Sequence, residues 1–350
     1  MKQWIKEVGR GKRGARDLEY NEALQAADSI INGGSTDVQI AAFLVAERIK
    51  TESSDELLAF IDQYRASSHR LPFAKESKKV IDFAGPYDGR KTFAATIPVS
   101  ILLSESGVPV FLHGSDPLPP KNGVSIKSIF ENLHVPIAKT VKEASESLER
   151  ANIGFACTEK FCISLANLRQ LREQIGVRTV LNTVEKLLNL SNAKSIMLGV
   201  FHKTAVNKLI PIMQTLAYEE AFIVQGVEGS EDLPVHRNSF IYKITNDSSD
   251  SMIVNPEEYG LKRKQRDEKE FIPLEEQVAI IQRLLDGEQS DDIEDYRAQV
   301  IFNAGVRYYL FGYSNSIEEG IQVAKRQLIE KKGTERLERW QNLLVTNSLR

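Results

Sequence analysis

The chain has 350 residues, enough for roughly two domains, and its 42% apolar residues suffice for real cores. Its 27% charged residues nearly cancel to a net charge of -3, with a pI near 6.1, so no global positive field announces nucleic acid and such binding would fall to local patches. No stretch approaches the ~20 apolar residues of a membrane span, and the start Met1-Lys2-Gln3-Trp4-Ile5-Lys6-Glu7 lacks the apolar core of a signal peptide, so a soluble, cytoplasmic protein is expected.

The opening residues Arg10, Lys12, Arg13 and Arg16 alternate with small spacers. This segment reads either as a solvated arm or as a flexible basic stretch suited to phosphate backbones. Leu24, Ala27, Ile30 and Ile31 then recur at helical spacing and stop at Gly33-Gly34. A second helix is predicted from Ser35 or Thr36, with Ile40, Phe43, Leu44 and Ile49 on its apolar face. Ser53 or Ser54 caps a third, whose stripe is Leu57, Leu58, Ile61 and Tyr64. Three short amphipathic helices imply a small bundle.

After Pro72 short β-branched runs alternate with longer helical ones: Val80 to Phe83, Val108 to Leu112, and Ala221 to Val224. The pattern is that of an α/β domain, with Ala95 to Ser106 as a crossover helix. Ligands of such sheets gather at the carboxyl ends of the strands. Three places should therefore share one crevice: the turn Ala84 to Lys91, His113-Gly114, and Gln225 to Asp232. In the first, Gly85 and Gly89 allow close backbone approach while Arg90 and Lys91 add charge, which makes an anion cradle. Pro86 removes one N–H donor and Tyr87 adds bulk, so an ordinary strand-to-helix turn fits the same residues. Cys157 and Cys162 lack a second pair or a nearby His to complete a zinc site and are expected as buried free thiols. Asn246 to Ser251 reads as a polar turn, and Leu261 to Glu270 as a dense charge run.

Several motifs together resemble those of the anthranilate phosphoribosyltransferase family, also classed as glycosyltransferase family 3. Residues 84–97, AGPYDGRKTFAATI, are similar to that family's phosphoribosyl diphosphate loop GTGGDGxxTFNIST, with Asp88, Gly89, Thr92 and Phe93 matching. Residues 113–116 stand for its HGNR, residues 175–182 for its LGxRTxxN, residues 225–232 for its HGxDGLDE, and residues 255–261 for its TPEDFGL. The resemblance spans nearly the whole chain. It implies a small helical amino-terminal domain (1–72, joined by helices around 165–190) and a larger α/β phosphoribosyltransferase-like domain (73–350) with a central, mainly parallel sheet flanked by helices. It implies a homodimer formed through the helical domain.

As functional residues the resemblance implies Gly85, Asp88, Gly89, Arg90, Lys91, Thr92, Thr96, His113 and Gly114 for phosphate and phosphoribosyl binding, and Arg172 for the acceptor. Glu231 and Asp232 fall on the family's magnesium-binding pair, which makes Mg²⁺ the expected cofactor of a catalytic protein. Three loop glycines are absent in register, Ser115-Asp116 replace Asn-Arg, and Cys162 replaces the acceptor-side His, so anthranilate is not the expected acceptor. On their own, His113 reads as a hydrogen-bonded structural residue, Thr96 as a helix cap, and Glu231-Asp232 as a solvated loop. The opening residues 5–18 are especially similar to the divergent YbiB-type branch, which implies the alternative of a non-catalytic, sequence-independent DNA- or RNA-binding protein that uses Arg10, Lys12, Arg13 and Arg16. The expected partners are therefore phosphoribosyl diphosphate or another phosphate-bearing ligand, and alternatively single-stranded nucleic acid.

Overall fold

Helix capping lays out the amino-terminal bundle. In the computed structural model, which describes residues 1–11, 13–72, 79–85, 89–216, 218–265 and 271–343, α1 (Lys2–Val8) buries Trp4 and Val8 and packs on α3. Lys12, Pro86, Tyr87, Asp88 and the charge-run residues Arg266 to Glu270 lie outside the described residues. Glu19 closes a capping box at the start of α2 (Tyr20–Ile31). Thr36, one of the two expected caps, does so for α3 (Asp37–Lys50), and Ser53 for α4 (Ser54–Ala66). Each box answers two of the amide donors that a helix start leaves open. Ahead of the basic stretch, residues 2–8 carry an apolar face that the bundle covers.

The bundle's core continues past its own sequence. Phe161, Leu165, Leu171, Val180, Leu181 and Val184, from helices within 158–186, share one buried cluster with Phe43, Leu57, Phe60 and Tyr64.

Among the described residues the sheet has seven strands: β1 (Ile81–Ala84), β2 (Val110–Gly114), β3 (Ile153–Cys157), β4 (Ser195–Gly199), β5 (Glu220–Val224), β6 (Ser239–Ile244) and β7 (Ser249–Val254). Their order is β3-β2-β1-β4-β5-β6-β7, parallel from β3 to β5 and antiparallel for β6 and β7. The hairpin shortens the expected polar turn, since Ser249 to Ser251 pair with β6 and the turn closes at Thr245 and Ser248. α5 (Thr96–Glu105) is the crossover helix and is buried on nearly every side. It packs against the helices Glu294–Leu310 and Lys332–Gln341 in the second large core.

β1 pairs with β2 on one side and with β4 on the other, so strand order reverses at its end. That reversal opens a crevice at the carboxyl ends of the strands. No helix among the described residues is long and apolar enough to cross a membrane.

Candidate anion-binding site

The loop after β1 is pinned by backbone. Arg90 exchanges two hydrogen bonds with Val124, each of 2.8 Å. Gly89 has a φ of 78°, and a Cβ there would stand 2.4 Å from the Gly123 carbonyl oxygen, so only glycine fits. On the facing side the loop 225–232 leaves β5 and presses against the end of β4. A Cβ on Gly199 would fall 1.9 Å from the Ser230 carbonyl carbon. Lys186 clamps the same contact, donating to the carbonyls of Gly199 and Gly229 at 3.0 Å each.

These contacts aim the Glu228 side chain into the cradle. The amide of Lys91 donates to Glu228 Oε1 at 3.0 Å, and the amide of Thr92 donates to the same oxygen at 2.7 Å. Thr92 Oγ1 adds a bond of 2.6 Å to Oε1, and Lys121 Nζ sits 3.0 Å from Oε2. Lys121 also donates to the Glu228 carbonyl at 3.1 Å. Burial alone would raise the carboxyl, but Arg90, Lys121 and the Thr92 hydrogen bonds overcome it and hold the group down at about 2. Glu228 reaches this position through a left-handed backbone, φ 53°.

Asp232 fills a second anion position. It is buried at the start of α5, where Thr96 N donates to Oδ2 at 3.1 Å. Arg90 Nη1 pairs with Oδ2, and Arg307 Nη2 donates to Oδ1 at 3.0 Å. Arg307 comes from the helix Glu294–Leu310, lies with its guanidinium 4.6 Å from the Phe83 ring centre, and donates to the Glu231 carbonyl at 3.2 Å. Glu231 is buried beside this cluster, and neither carboxyl oxygen has a hydrogen-bond partner among the described residues. The same is true of Thr96 Oγ1, Arg90 Nε and Nη2, and Arg307 Nε and Nη1.

The structure therefore brings Gly89, Arg90, Lys91, Thr92, Thr96, Glu231 and Asp232 together, but in roles that differ from the expected ones. Arg90 faces inward onto Asp232 rather than outward onto ligand. Of the pair expected to bind Mg²⁺, Asp232 already contacts guanidinium groups with both oxygens, so a metal at that residue would face like charge, whereas the Glu231 carboxyl oxygens are left without partners among the described residues. No cluster of three or more His, Cys, Asp or Glu among the described residues is placed to hold a metal. Gly85 lies against Ile126, whose Cδ1 would be 2.7 Å from a Cβ at that position. His113 is buried with Nδ1 3.0 Å from Thr158 Oγ1, and burial lowers it to about 4, so it is neutral near pH 7. Gly114 closes β2 beside it.

The acceptor side is closed by internal pairs as well. Arg172 meets Glu185 at 2.8 Å with both side chains buried, Asp116 meets Lys127 at 2.8 Å, and Cys162 is a buried free thiol like Cys157. At the basic opening, Arg10 pairs with Glu7 at 2.9 Å. Arg16 reaches both Glu7 at 3.2 Å and Glu22 at 2.7 Å, and Arg13 is exposed. In the charge run, Lys262 pairs with Glu257 and Arg263 with Glu294, each at 2.7 Å. A separate cavity of about 720 Å³ opens elsewhere on the sheet, near Lys79, Lys243 and Tyr313, and none of the expected site residues lines it.

Lys121 and Arg307 escaped the sequence reading. Lys121 sits in a proline-rich turn with no periodic pattern. Arg307 does carry a signal, as a lone cation in the apolar run Val300 to Leu310.

Residues 78–333 match the model of the glycosyl transferase family a/b domain, and residues 2–68 match that of its helical bundle domain. The chain belongs to this glycosyl transferase family. Among its relatives, the anthranilate phosphoribosyltransferase of Persephonella marina is 28% identical over 340 residues, 97% of either chain. An uncharacterized protein of Aquifex aeolicus is 28% identical over 92% of this chain and 96% of its own. Within the family the crystal structure of anthranilate phosphoribosyltransferase from Thermus thermophilus superposes with a TM-score of 0.81 at 25% identity, covering 97% of this chain and 98% of its own. The Saccharomyces cerevisiae enzyme in complex with PRPP and Mg shares the fold, with a TM-score of 0.82 at 18% identity over 98% of this chain and 97% of its own.

Proposed function

We propose that this protein binds a phosphate-bearing ligand of the phosphoribosyl diphosphate class in the β1 crevice and transfers its phosphoribosyl group to an acceptor other than anthranilate. One observation carries the reading: the Lys91 and Thr92 amides, the Thr92 hydroxyl and Lys121 already converge on one anion, the carboxylate of Glu228. A phosphate offers the same donors more oxygens and more charge, so it competes for the same cradle.

Phosphoribosyl transfer passes through a cation-like sugar while pyrophosphate departs. Positioning and neutralisation of the departing charge do most of the work. Lys121 supplies a cation at the mouth, Arg90 adds its field from behind, and the tight fit around Gly89 holds the loop backbone in place. The Asp88 position, outside the described residues, belongs to the same loop. Anthranilate is disfavoured because Arg172 is committed to Glu185, which leaves no open guanidinium there for an aromatic acid.

Sequence-independent nucleic-acid binding through Arg10, Lys12, Arg13 and Arg16 is the weaker reading, since Arg10 and Arg16 are already matched by carboxylates. Calorimetric titration with phosphoribosyl diphosphate tests the choice. A saturable heat that disappears on substituting Lys121 with Ala supports the crevice; no heat, with salt-sensitive retention of arbitrary single-stranded DNA, overturns it.

A further inference from the structure

We propose that Arg90 and Arg307 take over the charge work of a divalent cation, so that this crevice accepts a diphosphate-type anion without metal. The inference rests on the ligand class proposed above.

Asp232 is the pivot. It is fully buried, Arg307 Nη2 donates to one of its oxygens at 3.0 Å, and Arg90 Nη1 and Thr96 N (3.1 Å) take the other. A carboxylate held on both oxygens by fixed cations has no oxygen left to offer a metal except by breaking a buried ion pair, which is strongly unfavourable. Two guanidinium groups already stand against the Asp232 carboxylate, so a dication at that residue would add positive charge to a cluster shielded from water.

Neither arginine can step aside cheaply. The Arg90 backbone is locked by its two bonds to Val124, and a Cβ on Gly123 would lie 2.7 Å from the Arg90 backbone, so the two loop segments are in close contact. Arg307 is anchored in a helix whose neighbours Val306 and Tyr308 are buried, with its guanidinium over Phe83 and one N–H on the Glu231 carbonyl. Arginine suits the post, since its planar fork holds a carboxylate geometrically and stays charged. Among the described residues, Arg90 Nε and Nη2 are buried without an acceptor, so the Arg90 charge is answered on one side only and its field extends to the crevice from behind.

Titration of inorganic pyrophosphate into the full-length protein tests this, once with EDTA and once with Mg²⁺, at matched free pyrophosphate. The expected affinities agree within about threefold. Binding at least about tenfold tighter with Mg²⁺ overturns the inference but leaves the ligand class standing, whereas no binding under either condition overturns both.

A second readout needs no ligand. Water-proton relaxation with Mn²⁺ alone should find no tight site in the wild-type protein. The double variant Arg90→Gln, Arg307→Gln, shown folded by circular dichroism, should gain one and lose it again with Asp232→Asn. A tight wild-type Mn²⁺ site that disappears in Asp232→Asn contradicts the inference, as does a folded double variant that still ignores Mn²⁺. The wild-type arms decide the matter even where the double variant fails to fold.

Discussion

Glu228 holds an uncommon backbone conformation for a purpose. A non-glycine residue in the left-handed region costs about 1–2 kcal/mol, and Glu228 sits there at φ 53°. The charge-assisted bonds from Lys91, Thr92 and Lys121 offset that cost. Its carboxylate is thus an internal competitor for the cradle, and Glu228→Gln should tighten pyrophosphate binding by roughly tenfold, since a ligand then displaces a weaker occupant. Calorimetry reads the change; an unaltered or weaker affinity would mean that phosphate binds elsewhere. At this scale the sequence was only half informative. Thr92 and Lys91 stood out beside their glycines, but nothing in a string of residues says that a carboxylate 136 or 137 positions away reaches their amides. Side-chain partners across a sheet depend on register, which local patterns do not encode.

Elements were legible in proportion to their punctuation. The helices capped by Thr36 and Ser53 begin where their capping residues predict. β3 and β4 were not anticipated, because Ile153 to Cys157 and Ser195 to Gly199 are short and buried throughout, and such strands lack the alternation that distinguishes a strand from a piece of helix. β1 carries a further oddity in Asp82, a fully buried carboxyl with no hydrogen-bond partner among the described residues. Burial pushes it up to about 7, with Arg65 and Arg70 pulling downward and Glu231 pushing further up. A folded-state value above the unfolded ~3.9 means that its favourable contribution is complete below about pH 4 and is lost as pH rises through about 7. Stability should therefore fall between about pH 4 and pH 7, and Asp82→Asn should flatten that decline. Urea midpoints at the two pH values check it, and an equally steep decline in the variant would count against Asp82 as the source.

At the scale of the whole molecule, the two-part architecture follows from two buried cores. One joins the amino-terminal helices and the segment 158–186 to one face of the sheet, through Phe111, Ile196, Leu198 and Ile223, and the other fills the face under α5. The bundle's outer side keeps Val38 and Ile49 of α3 at 80% and 63% exposure. That exposed pair supports pairing of two chains through the bundle, as the resemblance implies. Light scattering should give about twice the 39.4 kDa chain mass, reduced to one chain by Val38→Asp. A monomeric wild-type protein would remove this part of the account.

The cradle after β1 is tested most directly by the backbone amide spectrum of the full chain during a pyrophosphate titration. The Lys91 and Thr92 amide signals are predicted to shift together and saturate with the ligand, as phosphate oxygens replace the Glu228 carboxylate. Saturation that leaves both signals in place, while amides elsewhere move, would contradict it.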